Sequence, residues 1–202
     1  MKIPFELPSD GAIHRYWISC FSESVETTKI DGQRFDYCRT CEIAHPRSII
    51  ISPTIVWWID NETGEYWHES VGVFMVNAEN QILLFERTNY PFSFAIPAGH
   101  LDVDETPLAA AKREVEEEVG VSLSSIVLIA EEDVVESCRG GSDHHRWHLY
   151  AARYISDEVP AVIEEGRSAA WVPVEEALAK ENLNVPTRYF LERYREQILS
   201  VP

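Results

Sequence analysis

The hydrophobic residues of this chain follow two spacings, one typical of strands and the other typical of a helix. Runs rich in β-branched and aromatic residues begin at residue 49, and the first run is interrupted at Pro53. Short polar turns such as Asn61-Glu62-Thr63-Gly64 separate the runs, as in β-hairpins. The pattern predicts a loop over 89–97 and strands over 49–59, 65–69, 71–76, 81–87, 121–130, 146–155 and 168–172.

A single apolar stripe predicts a helix that begins after Thr106. The stripe consists of Leu108, Ala111, Val115 and Val119. Pro107 suits a first turn, and Gly120 suits the end of a helix. Further helices are predicted over 173–180 and 185–199. Because strands and helices do not alternate regularly, we expect an α+β fold rather than a doubly wound sheet.

The composition changes near residue 48, which predicts two units. Residues 1–48 are polar and contain three of the four cysteines, whereas residues 49–202 carry most of the apolar runs. We therefore expect a small N-terminal segment over 1–48 and a main domain over 49–202.

Charge and hydropathy exclude several classes of partner. The 202 residues include 34 acids against 17 Lys and Arg, and the net charge of −17 repels a polyphosphate backbone. Nucleic acid is therefore an unexpected partner, and an anionic substrate would require metal cations or local arginines. No apolar run is long enough for a membrane span, and the N-terminus lacks the apolar region of a signal peptide. We expect a cytoplasmic protein with no membrane partner.

Three glutamates on the predicted central helix form a candidate metal site. Glu114, Glu117 and Glu118 have the spacing i, i+3 and i+4, which places them within roughly 100° of one helix face. Their mutual repulsion is relieved by a divalent cation, and carboxylate oxygens suit Mg²⁺ or Mn²⁺. The alternative is an ordinary solvated acidic face.

The surrounding residues resemble the Nudix box at every fixed position. The matching residues are Gly99, Glu105, Arg113, Glu114, Val115, Glu117, Glu118, Gly120 and Val121. The resemblance implies an α/β/α sandwich with a mixed sheet. It also implies metal-dependent hydrolysis of a phosphoanhydride in a nucleoside diphosphate linked to another moiety. Glu114, Glu117, Glu118 and the Gly99 carbonyl would hold Mg²⁺ or Mn²⁺, and an Arg113–Glu105 ion pair would brace the loop.

The resemblance leaves the general base open. Glu114 is one candidate. In many family members a Glu about six residues before a Trp reaches back to the metals, and Glu165 has that spacing from Trp171, with Glu164 next to it. The alternative for Glu165 is a solvated loop residue.

The substrate is a small nucleotide derivative that the sequence does not name. The proline and tyrosine motifs of several Nudix subfamilies are absent, and the coenzyme A motif is matched at only a few positions. A cluster of His and Arg follows Cys138, in which Arg139 and Arg146 are candidates for phosphate binding and Trp147 for base stacking. The alternative is a loop with Trp147 in the core.

The N-terminal cysteines resemble one knuckle of the zinc ribbon that precedes the Nudix domain of NADH pyrophosphatases. Cys38 and Cys41 form the C-x2-C pair, but Cys20 stands alone where the ribbon has a second pair. One structural zinc ion would take these three thiols and either His14 or His45. The alternative is three reduced structural thiols.

Two other functions share this fold. A Nudix module can bind a nucleotide as a sensor without catalysis, although a sensor does not need all three glutamates. An isomerase would require a catalytic cysteine near the box, and we expect none there. A homodimer remains an open expectation.

Overall fold

The computed structural model describes residues 1–156 and 158–202. None of the helices in these two ranges is long and apolar enough to cross a membrane. The described elements in chain order are β1 (His14–Tyr16), β2 (Val25–Ile30), β3 (Gln33–Cys38), β4 (Ile43–His45), β5 (Ile49–Ile51), β6 (Trp57–Ile59), β7 (Tyr66–Val76), β8 (Ile82–Arg87), β9 (Phe94–Ala95), β10 (Ala98–His100), α1 (Pro107–Val119), β11 (Val127–Val135), β12 (His144–Arg153), β13 (Gly166–Val172), α2 (Val174–Ala179) and α3 (Val185–Leu199).

A mixed sheet organises the main domain around β7. Its strand order is β11-β12-β7-β8-β13, with β6 and β10 also pairing with β7 and β9 with β8. Only the β12–β7 pair is parallel among the pairs described in this sheet. Residues 70–76 of β7 are buried without interruption, as expected for a central strand covered on both faces.

Helices cover both faces of this sheet. On one face, Val115 and Val119 of α1 belong to an apolar cluster with residues of β7 and β8. On the other face, Phe190 of α3 belongs to a second apolar cluster with residues of β7, β12 and α2. The layered, mixed arrangement agrees with the α+β class.

Helix α1 has the ends that the sequence predicts. The Thr106 hydroxyl accepts a hydrogen bond from the Ala109 N–H at 3.3 Å, and Pro107 occupies the first turn. Gly120 ends the helix with a left-handed φ of 67°. These local signals fix where the helix begins and ends.

The N-terminal segment packs directly against the main domain. Strands β2, β3 and β4 form a small antiparallel sheet, while β1 pairs with β5 across residue 48. The Tyr66 N–H donates to the Met1 carbonyl at 2.9 Å. The apolar residues of the first seven positions belong to the cluster around Tyr66 and Ile49.

Several predicted strands differ from those observed. The two short strands expected over 65–69 and 71–76 form one strand, and the loop over 89–97 contains β9. The strand predicted over 121–130 was wrong in position, since β11 begins at Val127 and continues through Glu131 and Asp133. Strand β11 is a terminal strand of the sheet and has many exposed positions, so it tolerates charged residues. These charged residues interrupt the apolar pattern from which a strand is predicted.

A glycine substitution tests the packing of the N-terminal segment. Gly141 has a φ of +90°, and a Cβ there would lie 2.8 Å from Ile49 Cα and 2.9 Å from the Ser48 carbonyl. Gly32 has a φ of +79° with open space around it. We expect Gly32→Ala to cost about 1–2 kcal/mol of unfolding free energy and Gly141→Ala distinctly more. Equal losses in chemical denaturation would contradict the close approach.

Candidate active site

A cavity of about 350 Å³ brings the box glutamates to the sheet. Helix α1, strands β7 and β10, and the loops before β12 and β13 supply its walls. Its charged lining residues are Arg87, Glu114, Glu117, Glu118, Glu136, Arg139, Glu164 and Glu165. The cavity therefore contains carboxylates and guanidinium groups in the same small volume.

The three glutamates of α1 enter the cavity at different depths. Glu118 is 3% exposed and accepts a hydrogen bond from the Ala98 N–H at 2.9 Å. The Glu114 side chain is largely buried, while the Glu117 side chain is half exposed. The helical spacing of the three residues thus makes side-chain exposure increase from Glu118, next to the sheet, through Glu114 to Glu117.

Arg113 connects these carboxylates to the preceding loop. Its guanidinium donates to both Glu105 oxygens, with the shortest contact at 2.9 Å, and to the His100 carbonyl at 3.2 Å. Nη1 also contacts Glu114 Oε1 at 2.7 Å and Glu117 Oε2 at 3.0 Å. Arg113 and Glu105 form the bracing pair that the resemblance implies, and Arg113 partly offsets the charge of the glutamates.

Gly99 permits the close approach of β10 to α1. A Cβ at this position would lie 2.1 Å from Glu114 Oε1 and 2.2 Å from its Cδ. A side chain at this position would displace the Glu114 carboxylate, which now lies against the Gly99 main chain.

Burial makes the ionised glutamates costly without a cation. It raises the pKa of Glu118 well above the ordinary 4.5. It also raises the pKa of Glu114, although Arg113 acts in the opposite direction. Clustered oxygen donors that resist ionisation alone fit a hard divalent cation, which would favour their charged forms.

Glu165 and Glu164 reach the same cavity from the start of β13. The Glu165 carboxylate lies 3.2 Å from Arg87 Nη2, and its carbonyl accepts from the Thr88 N–H at 2.8 Å. Its backbone adopts a φ of 56°. The structure therefore places Glu165 among the cavity residues, 43% exposed and next to a guanidinium.

Two arginines present unsatisfied donors to the cavity region. Arg139 Nη1 and Arg87 Nε are buried and have no hydrogen-bond partner among the described residues. Burial lowers the pKa of Arg139, and the neighbouring Arg34 and Arg15 lower it further. A buried guanidinium that has an unpaired N–H and lies near other arginines fits an anionic ligand.

Arg146 and Trp147 lie differently from the sequence expectation. Arg146 is on the exposed side of β12, where it pairs with Asp133 at 3.0 Å and lies over the Trp58 ring. Trp147 lines the cavity but is 6% exposed and packs edge-on against Phe190. The alternation of β12 turns these neighbours to opposite faces, which separates Arg146 from the glutamates and leaves Trp147 little surface for stacking.

The three N-terminal thiols come together without a histidine. Ligand atoms of Cys20, Cys38 and Cys41 lie within 4.8 Å of one another. His14 instead contacts Glu23 at 3.0 Å and Asp10 at 2.9 Å, one carboxylate at each ring nitrogen. His45 Nδ1 accepts a hydrogen bond from the Arg47 N–H at 3.1 Å. Among the described residues neither histidine belongs to the thiol group.

Comparison with known proteins identifies the family. A family model described as NUDIX domain matches residues 66–194. The chain belongs to the Nudix family. The match includes β7, the box and most of α3, and it begins after the N-terminal segment. The domain is therefore a Nudix-type hydrolase domain.

Curated Nudix relatives share only part of their length with this chain. Nudix hydrolase 25 of Arabidopsis thaliana is 36% identical over 61 residues, which are 30% of this chain and 35% of the relative. RNA pyrophosphohydrolase of Rhodospirillum rubrum is 37% identical over 54 residues, 27% of this chain and 33% of the relative. Diphosphoinositol polyphosphate phosphohydrolase 2 of Rattus norvegicus is 28% identical over 60% of this chain and 66% of its own. The chain thus spans a third to two thirds of these relatives.

Solved Nudix structures share the fold. A MutT Nudix hydrolase from Burkholderia pseudomallei has a TM-score of 0.55 and 28% identity, over 64% of this chain and 98% of that one. The Nudix domain of Shewanella oneidensis NrtR, solved with ADP ribose, has a TM-score of 0.56 and 19% identity, over 68% of this chain and 92% of that one. At 19% identity the second similarity concerns the fold alone.

Sequence reasoning missed several cavity residues of this Nudix domain. Arg87 and Tyr90 line the cavity from β8 and the loop that follows it. Cys138 also lines it, with His100 and His145. The expectation that no cysteine lies near the box was therefore wrong, because the turn after β11 folds back to the box. The concentration of histidines after Cys138 was the one available signal.

The raised pKa values predict a pH-dependent stability difference. Because the folded-state pKa of Glu118 exceeds 4.5, its contribution to folding without divalent ions is lost as the pH rises through the raised value. We therefore expect Glu118→Gln to gain stability over the wild type with rising pH, by about 1.4 kcal/mol per unit of pKa shift. Mg²⁺ should reverse this advantage.

Thermal unfolding with chelator and with Mg²⁺ measures this effect. Glu116→Gln, on the exposed side of the same helix, is the matched control. If the stability difference between wild type and Glu118→Gln changes with neither pH nor Mg²⁺, the prediction that a buried charge at Glu118 destabilises the fold is wrong.

Proposed function

We propose that this Nudix domain hydrolyses a phosphoanhydride bond in a nucleoside diphosphate linked to another moiety, using Mg²⁺ or Mn²⁺. The observation that carries the proposal is one cavity lined by the three box glutamates, a fourth candidate carboxylate and two arginines. Two of the relatives are named as a pyrophosphohydrolase and a diphosphoinositol polyphosphate phosphohydrolase.

The oxygen donors of the cavity suit the cation. Glu114, Glu117, Glu118 and the Gly99 carbonyl would hold Mg²⁺ or Mn²⁺. When bound, such a cation neutralises phosphate oxygens and makes water more acidic. Arg113 and Glu105 keep the glutamates aligned through the ion pair described above, so the donor set is organised before the substrate arrives.

The arginines of the cavity suit the diphosphate. Arg87 and Arg139 each carry a buried nitrogen that has no hydrogen-bond partner within residues 1–156 and 158–202, and a phosphate oxygen would satisfy it. Their charges also oppose the strongly acidic character of the chain, with its net charge of −17. Arg139 keeps the role expected from the sequence, while Arg87 takes the place expected for Arg146.

Glu165 is the better placed of the two candidate bases. Glu114 is occupied by Arg113 and lies against Gly99, whereas the Glu165 carboxylate is partly exposed in the cavity. Glu165 would remove the proton from the attacking water, and Arg87 would hold its carboxylate in position. A sensor that only binds nucleotide would not need the Glu165 carboxylate.

The thiols of the N-terminal segment are proposed to hold one structural zinc ion. Cys20, Cys38 and Cys41 supply three of the four ligands that such a site takes. For His14 to supply the fourth, it must give up one of its two carboxylate contacts, whereas His45 could use Nε2 and keep the hydrogen bond at Nδ1.

The box glutamates are tested by charge removal. Glu117→Gln and Glu118→Gln should retain the fold and lower kcat on the order of 10² or more, because the cation loses an anionic ligand. The assay is metal-dependent turnover over nucleoside diphosphate sugars, dinucleotides and nucleoside triphosphates, with Glu116→Gln as the control. Unchanged rates in both folded variants would refute the metal role, and binding without turnover by the wild type would favour the sensor.

The base assignment is tested by Glu165→Gln beside Glu164→Gln. Loss of the base should lower kcat of Glu165→Gln and flatten the rise of rate with pH, while Mg²⁺ affinity stays nearly intact. Glu164→Gln should remain close to the wild type. If Glu165→Gln stays within a few-fold of the wild-type rate, Glu114 is the base instead.

Zinc in the N-terminal segment is tested by elemental analysis of protein purified without added metal. The double variant with Cys20→Ser and Cys41→Ser should contain about one zinc equivalent less than the wild type, because a thiolate site needs its ligands. Thr40→Ala is the control. Equal zinc contents, with Cys20 and Cys41 reacting freely in the native wild type, would leave these residues as structural thiols.

A further inference from the structure

Three imidazoles and one thiol form a second group of ligand atoms in the wall of the cavity. The group consists of His68, His100, Cys138 and His145, and one ligand atom of each lies within 4.8 Å of the others. His68 and His145 are fully buried, while His100 and Cys138 are half-buried. This group is separate from the box glutamates and from the N-terminal thiols.

Strand pairing explains how these distant residues meet. In the parallel β7–β12 pair, His145 lies directly opposite His68. In the antiparallel β10–β7 pair, His100 lies opposite Ser70, which is two residues from His68 and therefore on the same face. Three strands thus place their histidines side by side on one surface of the sheet.

The turn that carries Cys138 is held over this surface. The Arg47 guanidinium donates to the Cys138 carbonyl at 2.8 Å and to the Ser142 carbonyl at 3.0 Å. A Cβ at Gly140 would lie 2.9 Å from His68 Cε1, so the turn approaches the histidine as closely as glycine allows. The thiol is therefore fixed in position by contacts outside the group.

The distances agree with a tetrahedral zinc site. Zinc bonded to nitrogen at about 2.0–2.1 Å and to sulfur at about 2.3 Å separates two nitrogens by about 3.3 Å and nitrogen from sulfur by about 3.6 Å. His68 Nδ1 lies 3.0 Å from His100 Nε2 and 3.5 Å from Cys138 Sγ. Small adjustments of the side chains suffice to admit the ion.

His145 supplies an independent indication of a ligand. Its ring is 1% exposed, and neither nitrogen makes a well-formed hydrogen bond within the described residues. Nδ1 lies 2.8 Å from Glu136 Oε1, whereas Nε2 makes no hydrogen bond to any of the described residues. A carboxylate beside one nitrogen of a histidine is the usual support for metal binding by the other nitrogen.

We infer that His68, His100, Cys138 and His145 hold one zinc ion in a closed four-ligand site next to the glutamates. Nitrogen and sulfur ligands select zinc, whereas the oxygen ligands of the box select Mg²⁺ or Mn²⁺. The ion would join the turn that carries Arg139 to β7 and to the end of β10. With four protein ligands it leaves no position for substrate, so its role is to position the phosphate-binding turn.

The experiment isolates this site from the N-terminal thiols. The chain has four cysteines, so the triple variant Cys20→Ser, Cys38→Ser, Cys41→Ser retains only Cys138. Purified without added metal, it should contain about one zinc per chain, and its thiol should react only after a chelator removes the ion. Cobalt(II) alone should give the visible absorption of a tetrahedral thiolate site.

Added Cys138→Ala or His100→Ala should lower the zinc content to below about a tenth of an equivalent. His144→Ala is the matched control, because His144 precedes His145 but contacts Glu65, with Nε2 at 3.7 Å. The inference is overturned if the folded triple variant lacks zinc and its thiol reacts at once, as an unmetallated thiolate–imidazolium pair would. It is also overturned if neither Cys138→Ala nor His100→Ala changes the zinc content.

The same substitutions in the otherwise unchanged chain cover the case in which the triple variant does not fold. Cys138→Ala and His100→Ala should each contain about one zinc equivalent less than the wild type and His144→Ala. Zinc contents equal to the wild type would overturn the site. Because metal content is the readout, failure of the hydrolase proposal would not affect this result.

Discussion

The burial of like-charged carboxylates between α1 and β10 is the constraint on which the cavity depends. Glu118 is held by the Ala98 N–H, and the Glu114 carboxylate occupies the space that a side chain at Gly99 would take. Isolated buried carboxylates are unfavourable, so Arg113 and, in the proposed function, a divalent cation must accompany them. The helix, the loop before it and the end of β10 are therefore positioned by one electrostatic requirement.

The cavity combines two chemically distinct donor sets. The glutamates on α1 offer hard oxygen atoms, whereas the histidines of β7 and β12 offer softer nitrogen atoms. His100 belongs to the second set but follows Gly99 directly, so the two sets meet at the end of β10. The metal that binds then depends on whether it contacts the glutamates of α1 or the histidines of the sheet.

The parts of this structure that could be predicted are those specified locally. Thr106, Gly120 and the spacing of the glutamates define α1 within a short stretch of chain. The cluster of His68 with His145 depends on the parallel register of β7 and β12, which no local pattern encodes. The outward direction of Arg146 similarly depends on which face of β12 is buried, and a segment with histidines on both faces does not reveal it.

The pairing of β1 with β5 makes the N-terminal segment part of the folding unit of the enzyme domain. Asp36, 1% exposed, joins Arg15 at 2.6 Å to Ser48 at 2.6 Å, which connects β3, β1 and the entry to β5. A chain that began at residue 49 would expose the edge of β5 and the apolar surface around Tyr66 to other molecules. The family match begins only at Tyr66 and so gives no reason to keep the N-terminal segment, yet a fragment without that segment would be inclined to aggregate.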